Sequence, residues 1–540
     1  MGSRREIRGH AEIQADLLIL GGGGAGLVAA LEAQALGAKV ALISLGDGAT
    51  PEVSALNVSD SEDEGKFFED ILRGGEFLNR RELVRKLAQG ACEIRRDFEK
   101  WGIRPAQKEG EWLRRLASGS SRPRSIFMSR EKIGRALTRT LRKRLSEQGV
   151  PVFTRVRACK ILKGPSGAVC GVMGGNVETG EVTFFRGRAV IVATGGVGRL
   201  FPNSTYPADV VGDGLALAFE AGAELIDMEF VQFEPTVILY PPGARGLLMP
   251  TVMLGDGASL KNRHQSRFMW ERDPQRGEKE QKHILAQAIQ EEVEKGRGSP
   301  HGGVYFDCRM IPPEVLSGYS EVLTRLRQAG IDAAREPVEV GPMAHSFMGG
   351  IRIAEDGSTN IPGLYAAGEA AGGVWGANRI AGCGGTEIVV FGKIVGQAAG
   401  AYARSAACEK PDEGFDVPDG SLDPLPVFSE IQGLLHECAG MKRNGKKLEM
   451  GLRALERMER EALGKLRTDL LPHFLKYLDA AHACRVAQGV FLSALRREES
   501  RGFHYRLDCP NKNDRDFRGN ILIRKDPEGG CQVRLERQDS

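Results

Sequence analysis

The ten cysteines stand at 92, 159, 170, 308, 383, 408, 438, 484, 509 and 531, and no two of them make a CxxC pair. That dispersion argues against iron–sulfur or zinc ligation within the chain and against a dithiol redox motif. No metal-ligand set is therefore expected. Scattered cysteines without a secretory leader suit a reducing compartment, so a cytoplasmic location is expected. No apolar run reaches 18 residues unbroken by glycine or charge, so no membrane-spanning helix is expected. No internal repeat is evident. An excess of one charge is also missing: 74 Lys and Arg face 71 Asp and Glu, for a net +3. Such balance gives no reason to expect a nucleic-acid partner. One stretch departs from it, since residues 80–150 hold 20 basic and 8 acidic residues. This is either a solvated helical face or a docking face for an acidic partner or anionic ligand.

Glycine is abundant instead, at 70 of 540 residues, about twice the usual ~7%. It clusters at 21–26, 171–175, 195–198, 349–350, 368–376 and 382–385, as where backbone presses against a ligand. The apolar run DLLIL at 16–20 reads as a buried parallel strand. GGGGAG follows it, then a helical stretch, then the strand KVALIS. Gly21, Gly23 and Gly26 fit G-x-G-x-x-G, with Gly24 among them, in the strand–turn–helix setting that binds a pyrophosphate. An acidic residue usually ends the second strand to bind ribose, and Ser44 stands there. Two further strand-to-glycine turns occur, at Thr194, Gly195 and Gly196 and at Gly368 and Glu369. Three such turns suit a long dinucleotide such as FAD, and no second G-x-G-x-x-G marks a separate nicotinamide domain.

Several segments together resemble the flavoprotein subunits of succinate dehydrogenase and fumarate reductase, with L-aspartate oxidase as a relative. They include GGGGAGLVAAL, ATGGVGRLFP, HSFMGGIRI, GLYAAGEAAGGVWGANRIAGCGG and ESRGFHYRLDCPNKND, and the likeness spans about residues 14–520. The resemblance implies an α/β fold: a Rossmann-like FAD-binding domain (1–227 and 345–405) interrupted by a smaller α+β capping domain (228–344). A helical domain (406–512) and a short C-terminal tail (513–540) follow. It places Asp213 and Glu369 at FAD, and Arg379 at a substrate carboxylate. It also places Cys383 near the flavin, and it implies electron exchange with a separate iron–sulfur subunit. Membrane association, if there is any, would then be peripheral, through partner subunits. Arg501 and Arg506 are expected to brace the helical domain against the FAD domain.

The departures from that family bear on the substrate. The motif FQFHPT reads FQFEPT here, placing Glu234 where a histidine would meet one carboxylate. An ionised Glu there repels an anion, unless it is protonated or paired with Arg245 or Arg263. The Thr-Glu pair downstream is replaced by Pro250 and Thr251. Aligned on the helix ending in KG, Lys282 takes the place of the proton-shuttling arginine. It can carry a proton but lacks the guanidinium fork. His345 and Arg379 are retained. The segment that carries a flavin-linking histidine corresponds to residues 48–57, which contain none, so non-covalent FAD is expected. The catalytic candidates are thus Glu234, Lys282, His345 and Arg379.

Three readings follow. The chain is an FAD-dependent oxidoreductase acting on a small anionic substrate other than succinate or fumarate. Alternatively it is a flavin electron-transfer subunit with no organic substrate of its own. Or it is a succinate, fumarate or aspartate enzyme with a rearranged site.

Overall fold

The computed structural model describes residues 4–7, 11–411, 415–526 and 528–538. Along the chain, β1 (Leu17–Leu20) leads into α1 (Gly24–Ala35) and β2 (Val40–Ser44). Helices α2 (Glu64–Gly74), α3 (Arg81–Ala91) and α4 (Ile133–Glu147) precede β3 (Val152–Thr154) and β4 (Ala189–Val192). Then come α5 (Asp213–Glu220), β5 (Val231–Tyr240), β6 (Ser259–Lys261) and α6 (Lys282–Glu294). Strands β7 (Val304–Asp307), β8 (Val338–Phe347) and β9 (Leu364–Ala366) precede the long α7 (Cys383–Ser405). Helices α8 (Leu425–Ala439), α9 (Gly445–Glu461) and α10 (Leu471–Arg496) precede β10 (Gly519–Lys525) and β11 (Cys531–Arg537).

Two compact units result. The first comprises 1–202, 207–230 and 347–540, and the second 203–206 and 231–346. At the heart of the first is a parallel sheet in the order β9-β4-β1-β2-β3. All residues of β1, β2 and β4 are buried, as expected of strands covered on both faces. α7 lies along α1 through glycines: a Cβ on Gly396 would stand 2.5 Å from Ala29 O, and one on Gly392 2.9 Å from Ala25 O.

The helical segment belongs to this same unit. Arg157 bridges Asp213 at 2.8 Å and Asp479 on α10 at 2.8 Å. Arg501 donates to Glu76 O at 3.3 Å, and Arg506 to Ala494 O at 3.0 Å. The bracing expected of Arg501 is thus a bond to the α2–α3 turn.

The C-terminal segment departs from the expected tail. β10 and β11 form an antiparallel hairpin inside a five-stranded sheet of the first unit. Ile521, Leu522 and Ile523 are buried there, and Asn520 Nδ2 donates to Leu78 O and Asp227 Oδ2. Three consecutive apolar residues amid a polar composition are enough to dock the segment by burial.

The second unit is built on the sheet β5-β8-β7-β6. Its core includes Ile238, Leu260, Phe268, Leu285, Ile289 and Phe306.

Candidate functional site

The first unit brings the three glycine turns together at the ends of β1, β4 and β9. Gly21 has φ +114, and a Cβ on it would lie 2.3 Å from Ala193 O. A Cβ on Gly26 would lie 2.1 Å from Gly21 O, so α1 sits directly on the turn. One on Gly196 would meet Glu369 Cδ at 3.0 Å, and one on Gly368 would meet Ala25 Cβ at 2.9 Å. Gly195 and Gly368 are left-handed, at φ +79 and +64. Side chains are excluded, so backbone can approach a ligand closely. α1 has Gly23 as N-cap and no acidic residue in its first turn, leaving its positive end available to a phosphate. Thr50 Oγ1 accepts from Gly24 N at 2.9 Å and shapes this end. Beside it, the buried Thr194 hydroxyl has no hydrogen-bond partner within the protein.

Beyond the end of β2 lies a cavity of about 340 Å³, bordered by Gly22, Ser44, Arg142, Thr154 and Arg155. With the converging turns, it fits a dinucleotide whose far end passes β2. The Ser44 hydroxyl is already engaged, accepting from Gly22 N at 3.1 Å and donating to Gly46 O at 2.5 Å. Its donor is therefore committed to the turn, and at most one lone pair is left for a ribose. Glu369 Oε1 accepts from Phe347 N at 2.7 Å. The Asp213 carboxylate is held by Arg157 and, at 2.9 Å, by His482 Nδ1. Burial alone would raise its pKa, but the Arg157 charge and His482 keep it well below the carboxylate range. Asp213 is therefore an internal anchor for Arg157 at the start of α5.

Arg379 lies before the N-terminus of α7, which is capped by the left-handed Gly382 at φ +81. A Cβ on Gly384 would stand 3.5 Å from Arg379 Nη1, so the guanidinium covers the first helical turn. That turn has no acidic residue. Guanidinium and helix end together make a strong carboxylate site. Asn57 Nδ2 donates to Ala381 O at 2.8 Å and to Cys383 Sγ at 3.2 Å, and burial pushes the Cys383 thiol up to about 12. One turn on, Glu387 Oε2 accepts from Trp375 Nε1 at 2.8 Å. Burial, and the nearby Glu369 charge, push the Glu387 carboxyl up to about 8.

The other three candidates belong to the second unit. Lys282 is the first residue of α6, and its Nζ lies 2.6 Å from Glu234 Oε2 on β5. The two side chains are only 13% and 5% exposed. Lys282 is thus a partner of Glu234. Arg245 instead donates to Leu239 O and Asn203 Oδ1, and Arg263 to Gly296 O. His345 Nδ1 stands 2.9 Å from the Thr205 hydroxyl, which fixes the ring. Thr50, Thr205, Trp375 and Glu387 complete these arrangements, and none of them carried a signal in the sequence.

Comparison with known proteins shows the family. Residues 16–384 match the FAD binding domain family, and residues 429–539 match the fumarate reductase flavoprotein C-terminal family. The chain is 34% identical over 538 residues to a fumarate reductase (CoM/CoB) protein of Methanothermobacter marburgensis, covering 95% of this chain and 97% of the relative. It is 31% identical over 543 residues to the L-aspartate oxidase of a Synechocystis strain, covering 94% and 97%. The flavoprotein of Escherichia coli quinol fumarate reductase superposes with a TM-score of 0.88 at 28% identity, covering 98% of this chain and 97% of that one.

Proposed function

This chain belongs to the family of FAD-dependent fumarate reductase and succinate dehydrogenase flavoproteins, and on that premise we propose that its substrate is a small organic acid with one carboxylate. It is an FAD-dependent oxidoreductase. The observation that carries the substrate reading is the buried Lys282–Glu234 pair. Its formal charge is zero, so it offers no cationic clamp for a second carboxylate. A second carboxylate beside the pair would find no net positive charge to offset its desolvation.

In this reading the substrate meets side chains of the second unit. His345, oriented by Thr205, bonds a neutral polar group. Lys282, held 2.6 Å from Glu234, passes the proton that moves at the substrate carbon. FAD, when bound, supplies or takes up the hydride. Residues 48–57 contain no histidine, which supports FAD held without a covalent bond. Electrons pass to or from a separate iron–sulfur protein, and any membrane association runs through such a partner. No helix among the described residues is long and apolar enough to cross a membrane.

The retained His345 and Arg379 favour a second reading, reduction of fumarate itself, as the name of the Methanothermobacter relative says of that protein. Anaerobically reduced holoenzyme mixed with crotonate or with fumarate separates the two. Faster flavin reoxidation by crotonate supports the monocarboxylate reading. Faster reoxidation by fumarate overturns it in favour of the second.

A further inference from the structure

We propose that Ser121 and Asp70 are positioning residues for the carboxylate site at Arg379, acting through a clamp that closes on the neighbouring Ile380. The proposal concerns the first unit alone and stands apart from the choice of substrate. Ile380 is buried and follows Arg379 directly. Two glycines far apart in sequence press on one of its methyl groups. A Cβ on Gly74, the last residue of α2, would stand 2.3 Å from Ile380 Cγ2, and one on Gly119 would stand 2.7 Å from it. Packing this close leaves no slack on either side of that methyl group.

The two jaws also hold the chain on either side of Arg379. Asn378 Nδ2 donates to Gly74 O at 3.1 Å, and Ala381 N donates to Ser118 O at 3.1 Å. The first jaw is the end of a helix. The second is the loop 116–124, closed at its neck by backbone hydrogen bonds of 2.9 and 3.1 Å between Arg115 and Ser125. Compact loops of this kind often carry function. Ser118, Gly119 and Ser121 are exposed, so burial of the tip does not hold this loop down.

One carboxylate fastens the second jaw to the first. Asp70 lies on α2 one turn before Gly74. Its Oδ2 accepts from Ser121 N at 2.8 Å, from the Ser121 hydroxyl at 2.6 Å and from Arg124 Nη1 at 2.7 Å. Arg124, at the root of the loop, also donates through Nη2 to Asp63 Oδ1 at 2.7 Å. The side chains of Arg124 and Asp70 are fully buried. Burying such charges is costly, and here they fix an exposed loop against the residue beside Arg379. A guanidinium grips a carboxylate through a planar fork, which demands a fixed geometry. A displacement of about 1 Å in such a site can cost about 100-fold.

The test measures binding of labelled acetate to full-length FAD-loaded protein by equilibrium dialysis. Acetate carries a carboxylate and too few carbons for a double bond to form or be reduced. Flavin content and thermal midpoint are recorded for every variant. R379A is the reference and is expected to lose at least ~10-fold in affinity. S121A is expected to weaken binding ~5-fold, and S121T to restore it. G74A is expected to weaken binding at least ~10-fold, although alanine favours a helix over glycine and the thermal midpoint does not fall. Adding I380L to G74A is expected to restore most of the affinity, because leucine lacks the methyl group that the new Cβ meets. Wild-type affinity in S121A and G74A, with R379A impaired, would overturn the clamp and leave the carboxylate site standing. Weakening found only where flavin is also lost would overturn the clamp as well, since the effect would then lie in the fold. Unchanged binding in R379A, or none in wild type, would overturn both the clamp and the carboxylate site. The relative rates with crotonate and fumarate, which decide the substrate reading, do not enter.

Discussion

Lys282 Nζ and Glu234 Oε2 lie 2.6 Å apart, with both side chains nearly excluded from solvent. The two residues are 48 positions apart and come from a helix start and a mid-strand position. Each charge is thereby neutralised within the protein.

Breaking such a pair on one side leaves a buried charge uncompensated, which costs ~3–5 kcal/mol. E234A and K282A are each expected to destabilise the chain by about that amount. E234L/K282M is expected to lose less than either single change, because no charge is left stranded. Urea denaturation of the three variants and wild type checks this through a double-mutant cycle.

Gly21→Ala is expected to abolish FAD binding. The backbone at φ +114 and the 2.3 Å approach to Ala193 O leave no room for a methyl group. The ratio of flavin to protein absorbance in the purified variant reports the outcome. Thr50→Val, which removes the acceptor of Gly24 N, is expected to lower that ratio without abolishing it.

Glu387 gives the chain a pH dependence. Its carboxyl sits near 8 when folded, against 4.5 ordinarily. Between those values the folded state keeps a proton that the unfolded state has released. Stability therefore falls as pH rises through this window, by up to ~1.4 kcal/mol per pH unit from this group, and levels off above about pH 8. Burial and the Glu229 charge raise Asp227 in the same direction, so the informative quantity is a difference. E387Q, which keeps an acceptor for Trp375, is expected to flatten the thermal midpoint between pH 5 and 8 relative to wild type.

Much of the cofactor cradle was legible because its signal is local. A buried strand, a glycine turn and a helix lie within about thirty residues, and each glycine named there meets backbone or a neighbouring turn. What was illegible depends on pairing across the chain. Ser44 reads as a ribose ligand until Gly22 and Gly46 are seen to engage its hydroxyl. Nothing near Asp213 in the sequence announces Arg157 and His482, which the fold brings to its carboxylate. The last residues read as a tail because composition weighs their many charges. Position instead weighs Ile521, Leu522 and Ile523, which face the core.

His345 depends on Thr205 for its orientation. A hydrogen bond of this kind contributes about 1 kcal/mol, and it holds the ring in place. T205V is expected to lower kcat/KM about 5- to 10-fold with flavin content unchanged. Serine at the same position is expected to restore most of the rate.

The central claim is that the Glu234–Lys282 pair removes the second carboxylate clamp. The most direct measurement is the ratio of kcat/KM for fumarate over crotonate, in wild type and in E234H/K282R. The account predicts a wild-type ratio below one that rises about 100-fold or more in the variant, as a cationic clamp worth ~3 kcal/mol is supplied. A wild-type ratio above one, or a ratio unchanged by the double substitution, would contradict it.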